Sequence, residues 1–588
     1  MASRKPIGRF VALLVLPLAA GMGWLVVGSD LGDNHGGRGP AEDIDSGPGR
    51  DRVKEARDGS PERPGFHLGP YLQNPAPQAM TVSWLSHDRE PGQLRYRAES
   101  GGQGATVASV PVLATELASE PVGPYFHRVR LTDLEPGTSY RYEVTQGSER
   151  YQASFRTAPG PGARVPVRFI AVADCETTPA SIGDRATWGD PTGGQPERRY
   201  LVDQARGLVD NLSVIAARNP DFVTISGDLV EASGDLPDWH ELWRNLIDCT
   251  GSCVFAPRLP IIAVPGNHEY WAGPNGGGFD QPASERAIQR FLRYFEAPAN
   301  HASRPEHEGR YFRLDYGPVT IIGLDVCNDA PHESPKDTNF YLRGEGEPGG
   351  GHAPGFLPGT EQYRWLEEQL QDSQETSPFT VVLLHHVPYS VGPHGWPPGH
   401  RHGKSAWQVH HDPQSGTPVR GLTELFMRRG VDALIAGHDE MYERSEISGT
   451  EEMPGGATRR HTMQVYDIGI CGDGLRSPQP ELQNPHQKFL AHRDSPEQWR
   501  DGRLISGGKH YGHLEVNLVP RDGARHAGEK PGKKQDRDGS MAWRVTLEPV
   551  YILPLVEPDG RYTGHERKLY DDVVTLDVVA GPGGGASE

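Results

Sequence analysis

Apolar residues in this chain come in short runs that stop abruptly at polar clusters. Phe169-Ile170-Ala171-Val172-Ala173 ends at Asp174, and Phe222-Val223-Thr224-Ile225 runs into Gly227-Asp228. Ile261-Ile262-Ala263-Val264 leads to Gly266-Asn267-His268-Glu269, Val381-Val382-Leu383-Leu384 to His385-His386, and Ala433-Leu434-Ile435-Ala436 to Gly437-His438-Asp439-Glu440. Runs of this length bounded by Gly and polar residues predict buried strands. Helical spacing lies between them. Residues 200–218 lead into the Phe222 run, and residues 362–370 put Tyr363, Leu366 and Leu370 on one face before the Val381 run. Residues 422–429 stop at Gly430 before the Ala433 run. This alternation predicts an α/β region over residues 165–520.

Upstream the period changes to two. Met80-Thr81-Val82-Ser83-Trp84 and His127-Arg128-Val129-Arg130-Leu131 alternate, and Leu134-Glu135-Pro136-Gly137-Thr138-Ser139-Tyr140-Arg141-Tyr142 follows. Such strands predict an all-β sandwich over residues 65–159. Residues 29–64 are rich in Gly, Pro and charge and read as a disordered linker. Arg4, Lys5 and Arg9 precede a mostly apolar, uncharged run over residues 10–28. Residues 1–28 therefore read as a signal peptide or an uncleaved membrane anchor, and the protein as exported: secreted, or anchored at the outer face of the cytoplasmic membrane. Glycine- and proline-rich stretches at 271–281, 343–358 and 394–403 read as loops shaping access to the site. Residues 521–540 form a charged, disordered insertion. Strand character returns over 541–580, to complete or cap the α/β domain.

Composition narrows the partners. The formal charge of −19 argues against nucleic acid as the main partner. Five cysteines fit an exported protein that uses disulfides sparingly, with Cys249 and Cys253 the expected bridge. In open α/β sheets chemistry gathers at the carboxyl ends of strands. Five strand ends finishing in Asp, Asn, His or Glu converge on one expectation, a shared metal site. Ser83 and Ser226 sit in no nucleophile motif, and nothing in the sequence activates Cys175.

The ordered blocks Asp174, Gly227-Asp228, Gly266-Asn267-His268-Glu269, His385 and Gly437-His438 resemble those of calcineurin-like metallophosphoesterases. The Leu-x-Pro-x-Thr-x-Tyr-x-Tyr run at 134–142 resembles the tyrosine corner of fibronectin type III domains, and Trp84 resembles their core tryptophan. Gly69-Pro70-Tyr71-Leu72-Gln73 and Met441-Tyr442-Glu443-Arg444 resemble the purple acid phosphatase subgroup. The fold implied is an α/β metallophosphatase sandwich of two mixed β-sheets flanked by helices, behind the all-β sandwich. The function implied is hydrolysis of phosphate monoesters by attack of a metal-bound hydroxide at a two-metal site.

By the same resemblance, Asp228 bridges the two metals, and Asp228, Asn267, His385 and His438 hold one of them. This N/O set suits Zn, Mn or Fe. His268 would protonate the leaving group. His386 and His394 are candidate substrate contacts. Strand alternation puts His385 and His386 on opposite faces, so one ligand is expected from the pair. The second metal's set departs from the subgroup. Glu231 stands where the colour-giving tyrosine would be, Glu176 where an alternative histidine would be, and Glu440 where the last histidine would be. Asp174, Asp228, Glu440 and one of Glu176 or Glu231 make an all-oxygen site for Fe, Mn, Mg or Ca. Asp439 is expected to face solvent, and Asp325 to be structural.

A phosphodiesterase or nucleotidase could use the same machinery. An inactive surface binding protein is the reading from another class, and Asn267→Ala separates it, because a binder keeps its affinity while an enzyme loses turnover. Without the tyrosine ligand, the metal-loaded protein is expected not to be purple. A visible iron–tyrosinate charge-transfer band in its absorption spectrum would contradict the carboxylate set.

Overall fold

The computed structural model describes residues 65–579 apart from 103, 118–123, 182, 184–186, 189–197, 200–201, 249–254, 279–281, 328–352, 396–417, 522–541 and 558–560. The expected leader, linker and charged insertion (apart from Arg521) and the Cys249–Cys253 bridge all lie outside the described residues. Among the described residues no helix is long and apolar enough to cross a membrane.

The alternating N-terminal segment folds into two four-stranded antiparallel sheets. One joins Phe66–Ala76, Ala79–Ser86, Tyr125–Leu131 and Val112–Leu113, and the other Ala105–Ala108, Gln93–Ala98, Ser139–Gln146 and Glu149–Arg156. Their inward positions, including Trp84, Leu94, Val129, Tyr142 and Val144, make one core. The Trp84 indole stacks on His127 at 4.9 Å and donates to Gln146 Oε1 at 3.0 Å, so its polar edge is paired where its faces are buried. The Tyr140 hydroxyl accepts the Glu135 N–H at 2.8 Å, closing the corner that the Leu-x-Pro-x-Thr-x-Tyr spacing predicts.

The second region stacks two seven-stranded mixed sheets. The first runs Ile261–Val264, Phe222–Ser226, Val167–Val172, Gly512–Pro520, Ala542–Val556 and Tyr562–Leu569, with Val574–Val579 also on Ala542–Val556. The C-terminal strands thus extend this sheet. The second sheet runs Phe312–Tyr316, Val319–Gly323, Phe379–His386, Ala433–Gly437, Thr458–Ile468, Tyr442–Glu452 and Gln487–Leu490. Strand alternation sorts the side chains. Phe169, Ala171, Val381, Leu383 and Ile435 meet between the sheets. Ile170 and Val172 face one helical layer, and Val382, Leu384 and Leu434 the other.

The helices form where the spacing places them. Gln204–Arg218 starts at Asp203, whose carboxylate accepts the Arg206 N–H at 2.7 Å, and stops at Asn219 in the left-handed conformation. Glu361–Thr376 is capped by Thr360 and buries Leu366 and Leu370.

The Gly69-to-Gln73 segment ties the two domains together. Tyr71, Leu72 and Gln73 are fully buried. The Tyr71 hydroxyl donates to the Tyr294 carbonyl at 3.0 Å, the Leu72 N–H to the Ala256 carbonyl at 3.0 Å, and the Gln73 amide oxygen accepts the Glu296 N–H at 3.0 Å. Arg128 pairs with the Glu296 carboxylate at 2.9 Å. Tyr71 also packs on Trp243 at 4.4 Å between ring centroids.

Tyr140→Phe removes the acceptor of the Glu135 N–H and is expected to destabilise the sandwich by about 1–2 kcal/mol. Urea unfolding followed by tryptophan fluorescence measures it, and the early part of the transition should shift.

Candidate metal centre

The strand ends from both sheets meet at one rim. Val167–Val172 delivers Asp174, Phe222–Ser226 delivers Asp228, and Ile261–Val264 delivers Asn267 and His268. From the opposite sheet Phe379–His386 delivers His385, and Ala433–Gly437 delivers His438 and Glu440. Four of these residues leave their strands with positive φ: Asp174 at 56°, Asp228 at 49°, His438 at 80° and Glu440 at 47°. Such angles are costly away from glycine and persist where the surroundings over-determine them.

Glycine beside each turn allows the approach. A Cβ at Gly437 would lie 2.0 Å from Asp174 Oδ2, one at Gly266 2.1 Å from Asp228 Oδ1, and one at Gly227 2.6 Å from the His385 ring. Glu269 fastens the loops. Its fully buried carboxylate accepts the N–H groups of Asp228 (3.0 Å), Leu229 (3.0 Å) and Gly266 (2.7 Å). Burial pushes its pKa up to about 7, with the Asp228 charge adding to the rise.

Donor atoms converge in three overlapping groups, each within 4.8 Å: Asp228, His385 and His438; Glu176, Asp228 and His268; and Asp174, Glu176 and Glu440. His385 Nδ1 donates to the Ser226 carbonyl at 2.9 Å, which turns Nε2 inward. That Nε2 faces Asp228 Oδ2 at 2.9 Å and Asn267 Oδ1 at 3.0 Å. His438 Nε2 is buried without a hydrogen-bond partner, as is Glu176 Oε2. Burial, then the neighbouring His394, holds the His438 ring well below its usual pKa and therefore neutral. Electron-rich atoms pointed at one another, with an orphaned neutral imidazole among them, fit a bound cation.

The carboxylates give the same answer. Burial pushes Asp174, Glu176 and Glu440 well above the usual carboxylate range, and mutual repulsion adds to it. A divalent cation among them removes that penalty. For Asp228 burial acts upward too, but the His385 and His268 rings outweigh it and hold it below that range.

Of the two competing glutamates, Glu176 joins the donor groups. Glu231 joins none of them among the described residues, and its backbone carbonyl instead accepts from His268 Nδ1. This fixes the His268 ring with Nε2 toward Asp228 Oδ2, at 4.0 Å. Burial lowers the His268 pKa, but Asp228 and Glu231 dominate and raise it to about 9.

Two expectations need correction. Asp439 does not face solvent: it is fully buried and accepts the His394 N–H at 2.7 Å, because the loop after residue 390 folds over it. His385 and His386 do not split cleanly between faces. Pairing with Ala433–Gly437 becomes irregular between Leu383 and His386, and the His386 ring lies 4.1 Å from His438. Of this pair, His385 alone belongs to a donor group among the described residues. Asp325 is fully buried and accepts from the Tyr270 hydroxyl at 2.5 Å, a bracing role.

His394 stacks on His438 at 4.1 Å and donates from Nδ1 to the His438 carbonyl at 2.8 Å. The sequence reading missed Arg476 and Asp473. Arg476 Nε donates to Glu440 Oε2, and the Asp473 N–H donates to the Asp174 carbonyl at 3.2 Å. Their signal was present. The Thr458–Ile468 strand ends in Gly469-Ile470-Cys471-Gly472-Asp473-Gly474, a sixth strand end of the same character.

His and carboxylate donors, with Asn267 beside them, thus meet at facing strand ends of a two-sheet α/β sandwich. Residues 168–441 match the calcineurin-like phosphoesterase family and residues 67–157 the purple acid phosphatase N-terminal domain. The chain thus carries a calcineurin-like phosphoesterase domain behind a purple acid phosphatase-type N-terminal domain.

It is 27% identical over 406 residues to Uncharacterized protein Rv2577 of Mycobacterium tuberculosis, covering 67% of this chain and 64% of that one. It is 24% identical over 320 residues to Purple acid phosphatase 21 of Arabidopsis thaliana, covering 54% and 53%. The chain thus spans just under two thirds of the length of the first of these relatives. The purple acid phosphatase PPD1 structure from yellow lupin (Lupinus luteus) seeds shares the fold, with a TM-score of 0.52 at 17% identity over 87% of this chain and 75% of that one.

Glu269→Ala strands three backbone donors and is expected to cost at least ~3 kcal/mol. The measurement is a thermal melt of the variant against the parent.

Proposed function

We propose that the protein is an exported dinuclear-metal hydrolase of phosphate monoesters. The observation that carries this reading is the approach of Asp228 Oδ2 (2.9 Å) and Asn267 Oδ1 (3.0 Å) to His385 Nε2, with the orphaned His438 Nε2 in the same donor group as His385 and Asp228. Those four residues would hold one metal, of Zn, Mn or Fe type. Asp174, Glu176, Asp228 and Glu440 would hold a second, hard ion such as Fe, Mn, Mg or Ca, with Asp228 shared. When bound, the pair supplies Lewis-acid activation of water and of the phosphoryl oxygens.

The chain's own groups do the rest. His385 is locked in one tautomer by Ser226, and Asn267 is held against it, so the donors are preset rather than recruited. His268 is oriented by the Glu231 carbonyl, and the neighbouring Asp228 and Glu231 raise its pKa, which suits a proton donor to a leaving alkoxide. The amino-terminal sandwich is a rigid packing partner, since its contacts to the catalytic domain are buried hydrogen bonds and aromatic packing. Placement outside the cytoplasmic membrane rests on the basic residues before the apolar run over residues 10–28.

Metal analysis of protein purified without added metal, paired with hydrolysis of p-nitrophenyl phosphate and its bis ester, tests the proposal. Two ions per chain with monoester turnover is the expected result. Neither ester cleaved after metal is restored would sink it and favour a binding role. His268→Ala is expected to retain metal while lowering kcat by ~10²–10⁴. It should also erase the basic limb of the kcat/KM–pH profile, because the protonated ring is the working form and is lost as pH rises.

A further inference from the structure

We propose that Arg476 is the phosphoryl-anchoring residue of this site and sets its preference for dianionic monoesters over monoanionic diesters. The inference rests on the hydrolase reading above and deepens it. Arg476 is held from two sides. Its Nε donates to Glu440 Oε2, and Nη1 lies 3.3 Å from His394 Nε2. His394 is a fixed acceptor there, because its Nδ1–H is committed to the His438 carbonyl and its ring is stacked on His438. The Arg476 N–H also bonds the Glu440 carbonyl at 3.1 Å, so backbone and side chain both follow Glu440. The guanidinium is therefore set in place before any ligand arrives.

Its location is what a substrate anchor requires. The donor groups form a chain in which His268 joins Glu176 and Asp228, Glu176 joins Asp174 and Glu440, and Glu440 meets Arg476. His268 and Arg476 are the cationic groups at the two ends of a carboxylate-rich floor. The Glu440 carboxyl is almost fully buried, whereas the Arg476 side chain is 23% exposed and the His268 side chain 20%. A phosphoryl group over the floor with its ester oxygen toward His268 turns its non-bridging oxygens toward Arg476.

The carboxylates that replace neutral histidines here make the floor more negative, which works against an anionic substrate. A guanidinium beside Glu440 offsets that charge where the substrate sits. Its planar fork can serve a carboxylate and a phosphoryl oxygen at once, which an ammonium cannot match. A monoester presents two negative charges and three non-bridging oxygens, a diester one charge and two oxygens. Loss of the anchor should therefore penalise the monoester more.

The test compares Arg476→Gln and Arg476→Lys with the parent, all metal-loaded. It measures metal content, KM and kcat for p-nitrophenyl phosphate and bis(p-nitrophenyl) phosphate, and calorimetric binding of inorganic phosphate. Arg476→Gln should keep the parent's metal content, raise the monoester KM and the phosphate Kd by ~10–100-fold, and change the diester KM by no more than about threefold. Arg476→Lys should recover part of the phosphate affinity. Loss of metal in Arg476→Gln with unchanged phosphate affinity per loaded site would overturn the proposal, leaving Arg476 as a support for Glu440. Equal penalties on both esters would overturn the charge preference. If the parent cleaves neither ester, the hydrolase reading fails, and phosphate binding still decides whether Arg476 anchors the anion.

Discussion

Buried carboxylates repel one another, and this structure crowds Asp174, Glu176, Asp228 and Glu440 into one rim where burial already disfavours their charge. Much of the surrounding architecture serves to impose that crowding. The turns after the strands are held with positive φ at four non-glycine positions, each close to a glycine whose missing Cβ makes room for a carboxylate or an imidazole. Glu269 spends its carboxylate on three backbone N–H groups and so binds two loops into one rigid piece. Asp439 and His394 do the same for the opposite sheet. Cations held among these oxygens would offset the repulsion.

Among the described residues the amino-terminal sandwich contributes nothing to the donor groups, yet it is joined to the α/β domain by fully buried residues. Tyr71, Leu72 and Gln73 address main-chain atoms at Tyr294, Ala256 and Glu296, which flank the helical layer behind the Ile261–Val264 strand. Main-chain recognition of this kind is insensitive to the side chains on the far side. It suits a support that stays in place while pocket loops vary.

Much of the site was legible because it uses short-range grammar. A buried strand, a glycine and a polar ligand occur together within a few residues, and periodicity exposes the strand while the glycine marks the tight turn. The fold followed from the same alternation, including the Tyr140 corner. What escaped was either long-range or a matter of facing. Asp439 looked solvent-facing because a polar residue between two ligands usually is. Its burial depends on a loop that begins some fifty residues earlier, at Val391, and closes over it. The facing of His386 rested on ideal strand alternation, which fails where the ladder becomes irregular at its own end. Arg476 was missed because a basic residue was not among the residue types sought at strand ends, although its loop follows a sixth strand. The competition between Glu176 and Glu231 could not be read from spacing alone. It turns on which side chain the loop aims at Asp174, and the Glu231 main chain was occupied in holding His268.

Asp174, Asp228 and Asn267 descend from one sheet, while His385, His438 and Glu440 descend from the other. Two of the three donor groups, Asp228 with His385 and His438 and Asp174 with Glu176 and Glu440, draw on both sheets, while Glu176, Asp228 and His268 come from one. The rim is therefore a seam, and it comes into being only when the two layers dock across the shared core of Phe169, Val381 and Ile435. Anything that binds at the seam acts as a clasp between layers, and its binding free energy adds to the docking free energy of the whole fold. The same arrangement makes the docking of the two layers and the completion of the donor set a single event.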